Sequence, residues 1–239
     1  MRGKLYLIPT PLGDDETAFS ALPNALQVVV HQIDTFIVEQ SKPARRFLKT
    51  MATAAPLQAL ALYELNEHTV VTDAMFAEWL APIEAGKNVG LLSDAGCPAV
   101  ADPGATAVAY AHRKGIQVVP LVGPSSILLA LMASGMNGQQ FAFLGYLPAK
   151  TPERIKAIKA AEQLALRSGQ TQIFIETPYR NAALLHDLLQ QLPSSTKLCV
   201  AIDITLATEQ IATKTVADWR KIDLTVWTRK APAVFVIGL

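Results

Sequence analysis

Residues 90–104 read GLLSDAGCPAVADPG, an apolar run followed at once by Asp94 and Asp102, by Gly96 and Gly104, and by Pro98 and Pro103. Glycine permits close backbone approach to a ligand or a positive φ, and proline fixes the shape of a loop. Asp94 or Asp102 could accept hydrogen bonds from a ligand's hydroxyls or amine. The string also has a plainer reading, because Asp102-Pro103 is a good helix N-cap followed by a first-turn proline. Two other loops share its character. Pro9-Thr10-Pro11-Leu12-Gly13-Asp14 follows an apolar run, and Gly123-Pro124-Ser125-Ser126 opens a helix whose free amides could meet an anionic or polar group. None of the three is a G-x-G-x-x-G after a first strand, and no Walker A string occurs, which disfavours nicotinamide cofactors and nucleoside triphosphates.

Other chemistry is weakly signalled. His31, His68, His112 and His186 stand alone, and no G-x-S-x-G surrounds Ser125 or Ser126. Cys97 and Cys199 lie far apart without metal-ligand spacing, so no metal site is expected and a reducing compartment is. Lys42-Pro43-Ala44-Arg45-Arg46-Phe47-Leu48-Lys49 reads as a short amphipathic helix start, either a solvated face or a phosphate-binding patch. Leu60, Leu62 and Leu65 read as core packing ahead of the polar turn Asn66-Glu67-His68-Thr69.

Elements that would position these loops alternate along the first half. Short apolar runs at 5–8, 35–38, 89–92 and 118–121 end in Pro, Gly or polar signals and are separated by helix-length periodicity. That is the pattern of parallel strands joined by crossover helices, with helices predicted over 73–85 and 103–112. In such a sheet ligands bind outside the carboxyl ends of the strands, where the three loops lie. After about residue 122 the spacing becomes irregular. Strands are predicted at 141–144, 171–175, 197–202, 209–213 and 233–237, with helices around 152–167 and 179–191, which suggests a mixed sheet. The fold class is α/β, with an N-terminal domain over 1–121 and a C-terminal one over 122–239.

The chain's 239 residues suffice for one large or two modest domains with a real core. Its 21 basic residues against 20 acidic ones give a net charge of +1, so any affinity for an acidic partner is local. The apolar run after Met1-Arg2-Gly3-Lys4 is too short for a signal peptide, and no uncharged window approaches the roughly 18 residues of a membrane span. A cytoplasmic protein with no membrane partner is expected.

Six strings carry a resemblance: 5–14 (LYLIPTPLGD), 66–69 (NEHT), 93–104 (SDAGCPAVADPG), 119–126 (VPLVGPSS), 145–150 (GYLPAK) and 176–180 (ETPYR). In this order they resemble the tetrapyrrole methylase superfamily, the class III S-adenosylmethionine-dependent methyltransferases. Within it they are most similar to the branch that methylates a cytidine ribose 2′-hydroxyl in small-subunit ribosomal RNA. The resemblance implies two α/β domains with S-adenosylmethionine in a cleft between them, and a homodimer. By analogy it places cofactor contacts at Pro11, at Ser93, Asp94, Ala95 and Gly96, at Gly123, Ser125 and Ser126, and at Leu144, Glu176 and Thr177. Glu39, Glu67, Asp94 and Glu176 are the carboxylates on matching segments. Glu67 and Glu39 are assigned to the acceptor, since the cofactor loops do not account for them.

The chain departs from that branch in three places. Gln40-Ser41-Lys42 stands where Asp-Thr-Arg is typical, Ile202-Asp203-Ile204-Thr205 stands where Arg-Glu-Leu-Thr is, and the chain stops at Leu239 without the further segment that the RNA enzymes often have. Less surface for phosphate contacts is therefore expected. The leading reading is methyl transfer to RNA or the small ribosomal subunit. The alternatives are methylation of a tetrapyrrole-like or other small molecule, and a non-catalytic module that only binds the cofactor.

Overall fold

A computed structural model describes residues 2–238, and these divide into two units with the boundary between Pro124 and Ser125. The first unit runs β1 (Leu5–Ile8), α1 (Glu16–Ser20), α2 (Asn24–His31), β2 (Thr35–Val38), α3 (Ser41–Thr50), β3 (Ala61–Glu64), α4 (Asp73–Trp79), α5 (Ala81–Glu84), β4 (Val89–Leu92), α6 (Ala105–Arg113) and β5 (Val118–Pro120). Its strands pair in the order β3-β2-β4-β1-β5, every pair parallel. Successive side chains on a strand point to opposite faces, and both faces are covered, so the strands read as unbroken apolar runs. Phe36 and Val38 join Leu26, Val30, Phe47 and Leu48 on the face that carries α1, α2 and α3. Ile37 and Leu91 join Phe76, Trp79, Ile83 and Tyr110 on the other, under α4, α5 and α6. Trp79 is therefore core, stacked on Tyr63 at 5.4 Å.

Two helical readings are corrected. The stretch 73–85 is two helices broken at Leu80, because Pro82 lacks an amide hydrogen and its ring opposes the carbonyl of Glu78. The helix expected from Pro103 starts at Ala105 with Gly104 as its N-cap, so Asp102 does not cap it. Residues 61–64, read only as core packing, form the edge strand β3.

The second unit runs α7 (Ser126–Ser134), β6 (Phe141–Tyr146), α8 (Thr151–Ser168), β7 (Thr171–Glu176), α9 (Asn181–Gln191), β8 (Lys197–Ile202), β9 (Gln210–Thr215), α10 (Val216–Trp219) and β10 (Ala233–Gly238). The sheet order is β6-β7-β10-β8-β9, parallel only between β6 and β7, which is the mixed sheet that the irregular spacing suggested. Leu184, Leu185 and Leu188 of α9 pack with Phe174, Phe235 and the fully buried Trp219, whose Nε1 donates to the carbonyl of Leu198 at 2.8 Å. Arg154 of α8 meets Asp187 of α9 at 2.6 Å, both nearly buried. Among the described residues no helix is long and apolar enough to cross a membrane.

Candidate functional site

All five strands of the first sheet run the same way, so their carboxyl ends share one edge. Helices after β1 pack on one face and helices after β4 on the other, so the loops leaving these neighbouring strands diverge and leave a crevice, the usual ligand position in an open α/β sheet. The register sets Val38 beside both Glu64 and Leu92, and Leu92 beside Ile8. Residues just beyond these positions therefore line up along the edge: Glu64, Glu39, Ser93 with Asp94, then Pro9 with Thr10.

Hydrogen bonds lace this row together. Glu64, at the end of β3, accepts the amide of Ser41 at 2.9 Å, which supplies the first turn of α3 with a partner that Gln40, its N-cap, does not give. Hydrogen bonding from the Ser41 hydroxyl, and second from its amide, holds the Glu64 carboxyl below the usual carboxylate range. Glu39, beyond β2, accepts the amide of Asp94 at 3.1 Å, and the amide of Gln40 donates to the Asp94 carboxylate. Thr10 and Gly96 exchange two backbone bonds at 3.0 and 3.2 Å, and Thr10 Oγ1 donates to the carbonyl of Ser93 at 3.2 Å. The tether continues to the β5 exit, where Cys97 Sγ donates to the carbonyl of Pro124 at 3.4 Å. Burial raises the Cys97 thiol pKa, so it is a poor nucleophile.

Asp94 is the perturbed group of this edge. Its carboxyl is pushed up to about 6, first by partial burial and then by the negative charge of Glu39, with Glu64 adding to it. It lines a cavity of about 180 Å³ shared with Thr10, Pro11, Phe19, Phe47 and Ser93, and with the exposed ion pair of Arg46 and Asp14 at 2.5 Å. The glycines are required by geometry. Gly96 has φ +78°, and a Cβ on Gly123 would lie 2.2 Å from Cγ of Pro9. Asp102 works inside the loop: its carboxylate accepts the amide of Ala99 at 2.9 Å and that of Gly104 at 2.7 Å, clamping a segment in which Ala99 and Ala101 both have positive φ. Burial raises its pKa.

The sheet thus brings Pro11, Ser93, Asp94, Ala95, Gly96, Gly123 and Glu39 to one edge. Glu67 stands apart from them on the turn after β3, with its side chain 85% exposed and, among the described residues, meeting only His68, at 3.5 Å. In the second unit Ser125 is the N-cap of α7, accepting from the amide of Leu128 at 3.5 Å, and Ser126 is the first residue of that helix. Leu144 lies where the β6 register shifts between Phe143 and Tyr146. Glu176, buried at the end of β7, accepts from the amide of Thr177 at 2.7 Å and from Arg180 Nε at 2.9 Å. Sequence reasoning missed Glu64, whose signal is its place: a carboxylate ending a short strand, as Asp94 and Glu39 nearly do.

Residues 4–219 match the family described as Tetrapyrrole (Corrin/Porphyrin) Methylases. Ribosomal RNA small subunit methyltransferase I of Escherichia coli O157:H7 is 32% identical over 88% of this chain and 68% of its own length. The protein of the same name from Synechocystis sp. is 31% identical over 87% and 69%. Among solved structures, uroporphyrin-III-C-methyltransferase from Thermus thermophilus superposes with a TM-score of 0.55 at 20% identity, covering 100% of this chain and 93% of that one. Cobalt precorrin-4 methyltransferase, a cobalamin biosynthetic enzyme, gives 0.61 at 16% identity, covering 98% and 94%. At those identities the structures show the shared fold.

Proposed function

The chain belongs to the tetrapyrrole methylase family and is a methyltransferase, and from that membership we propose that it moves a methyl group from S-adenosylmethionine to a ribose 2′-hydroxyl of small-subunit ribosomal RNA. The observation that carries this reading is the laced carboxyl edge, where the β1, β4 and β5 exits meet.

The donor set of this edge suits that cofactor. The charges that act on Asp94 are the carboxylates of Glu39 and Glu64, a field that favours an ammonium and a sulfonium, and the same oxygens could accept from ribose hydroxyls. The close approach of Gly123 to Pro9 and the left-handed Gly96 shape the backbone around it. Pro11, Ser93, Asp94, Ala95, Gly96 and Gly123 are the first unit's proposed contacts, and Ser125, Ser126, Leu144, Glu176 and Thr177 the second's. When bound, S-adenosylmethionine supplies an electrophilic methyl carbon for in-line displacement by an oxygen. The chain's part is positioning: the loop 93–96, fixed from both sides by Thr10 and Glu39, holds its amides and carbonyls without rearrangement. Departure of the acceptor's proton needs a basic oxygen within reach. Glu39 and Glu67 are the proposed acceptor-side carboxylates, and Asp94, its carboxyl pushed up to about 6, stands beside Glu39 to share the proton. The protein is further proposed to be a cytoplasmic homodimer.

The test is transfer of a labelled methyl group to small ribosomal subunits, naked ribosomal RNA and a metabolite extract in parallel. Label mapped to a ribose hydroxyl is expected. Label confined to the extract would move the acceptor to a small molecule, and cofactor binding without transfer would leave a binding module.

A further inference from the structure

The helix that leaves the acidic edge carries the opposite charge. α3 places Lys42, Arg45, Arg46 and Lys49 at i, i+3, i+4 and i+7, all exposed on one face, while Ala44, Phe47 and Leu48 are buried. The helix contains no acidic residue, so four of the chain's 21 basic residues stand within ten positions of a chain whose net charge is only +1. Two of them are engaged. Arg45 donates to the carbonyl of Leu57 at 2.8 Å, and Arg46 pairs with Asp14. Lys42 and Lys49 make no hydrogen bond or ion pair among the described residues, so nothing in that part of the chain uses their charge.

We infer that this face of α3 is a phosphate-backbone surface that seats the RNA strand leading to the acceptor hydroxyl. The inference rests on the reading proposed above. The stripe contains no exposed large apolar side chain, which a protein interface or a lipid surface would use as an anchor, whereas a polyanion is held by charge alone. The helix starts directly after Glu39 and Gln40, so the cationic track ends where the carboxylates of Glu39, Glu64 and Asp94 begin. Phosphates are attracted along roughly 10 Å of helix from Lys49 to Lys42 and repelled beyond it. A strand laid on α3 therefore turns its sugar, and not its phosphate, toward Asp94. Arg46 and Phe47 supply the link, because both line the cavity that Asp94 lines.

The experiment compares K42Q/K49Q with wild type and with K156Q/K159Q, a pair on the exposed face of α8 that loses the same charge. Affinity for small-subunit RNA is measured across a salt series, with cofactor affinity and Tm as controls. The α3 pair is expected to flatten the slope of log K against log salt by about 0.7 per lysine, equally for unrelated RNA sequences, with cofactor affinity and Tm unchanged. The α8 pair should keep the wild-type slope. An unchanged slope for K42Q/K49Q in a protein whose wild type methylates RNA would overturn this inference alone, as would equal losses in both pairs. Wild type that neither binds nor methylates RNA would remove the proposed function, and this inference with it. Weakened binding of polyglutamate or of anionic vesicles with RNA affinity intact would reassign the face.

Discussion

The amide of Asp94 donates to Glu39 Oε2 at 3.1 Å, and the amide of Gln40, next to Glu39, donates back to the Asp94 carboxylate. Two loops that leave strands β2 and β4 are thereby clasped by reciprocal side-chain to backbone bonds. This makes Glu39 a positioning residue for the loop 93–96, beside its proposed role at the acceptor.

The clasp predicts a split between two substitutions. Glu39→Ala removes the acceptor and should weaken cofactor binding by roughly tenfold, the scale of one charge-assisted hydrogen bond. Glu39→Gln keeps an acceptor oxygen and should bind the cofactor within about twofold of wild type, while the lost charge lets Asp94 ionise at lower pH. Calorimetry and a pH–rate profile separate the two. Equal cofactor affinity in both variants would mean that the bond does not hold the loop.

Stability should record the displaced Asp94 titration. Its carboxyl has an ordinary pKa of 3.8 and is pushed up to about 6 in the fold, so between those values the folded state binds more protons than the unfolded one. Stability from this group therefore falls as pH rises from 4 to 6, and is level outside that window. Asp94→Asn removes the penalty and retains an acceptor for the Gln40 amide. The Tm difference between variant and wild type should widen in the variant's favour from pH 4 to 6 and stay constant above 7. A difference independent of pH would refute the assignment.

Gly123→Ala should damage the first unit through sterics. Its Cβ would lie 2.2 Å from Pro9 Cγ and 2.3 Å from Pro9 Cβ, and a proline ring cannot rotate away. Overpacking of this kind costs about 1–3 kcal/mol, which lowers Tm by several degrees. Differential scanning calorimetry checks this, and an unchanged Tm would mean that the β5 exit moves freely off Pro9.

Periodicity made the buried strands legible because both faces of the first sheet are covered, and β1, β2 and β4 fall at the residues their apolar runs indicated. It hid β3, whose Ala61, Leu62 and Tyr63 are half-buried on an edge and give no clean alternation. Loop chemistry was legible in type and not in partner. Asp102 was visible as a cap, yet it closes the loop of Ala99 instead of the helix, since Pro103 and Gly104 delay the first turn. Glu64 was invisible as a site residue because its relevance comes from the strand order, which sets β3 beside β2 and its carboxylate beside Ser41. Strand order is a long-range property that no local window contains.

β1 lies between β4 and β5, with Leu5 opposite Val89 on one side and Val118 on the other. As the chain is synthesised, the first strand made is the last to be completed. One of its edges waits for the fourth strand and the other for the fifth, each open to pairing with other chains until then. The Thr10–Gly96 bridge and the seat of Gly123 on Pro9 depend on those late pairings, so a nascent first unit lacks the proposed cofactor edge before it has a finished sheet. Ligand affinity is thus a report on the completion of folding.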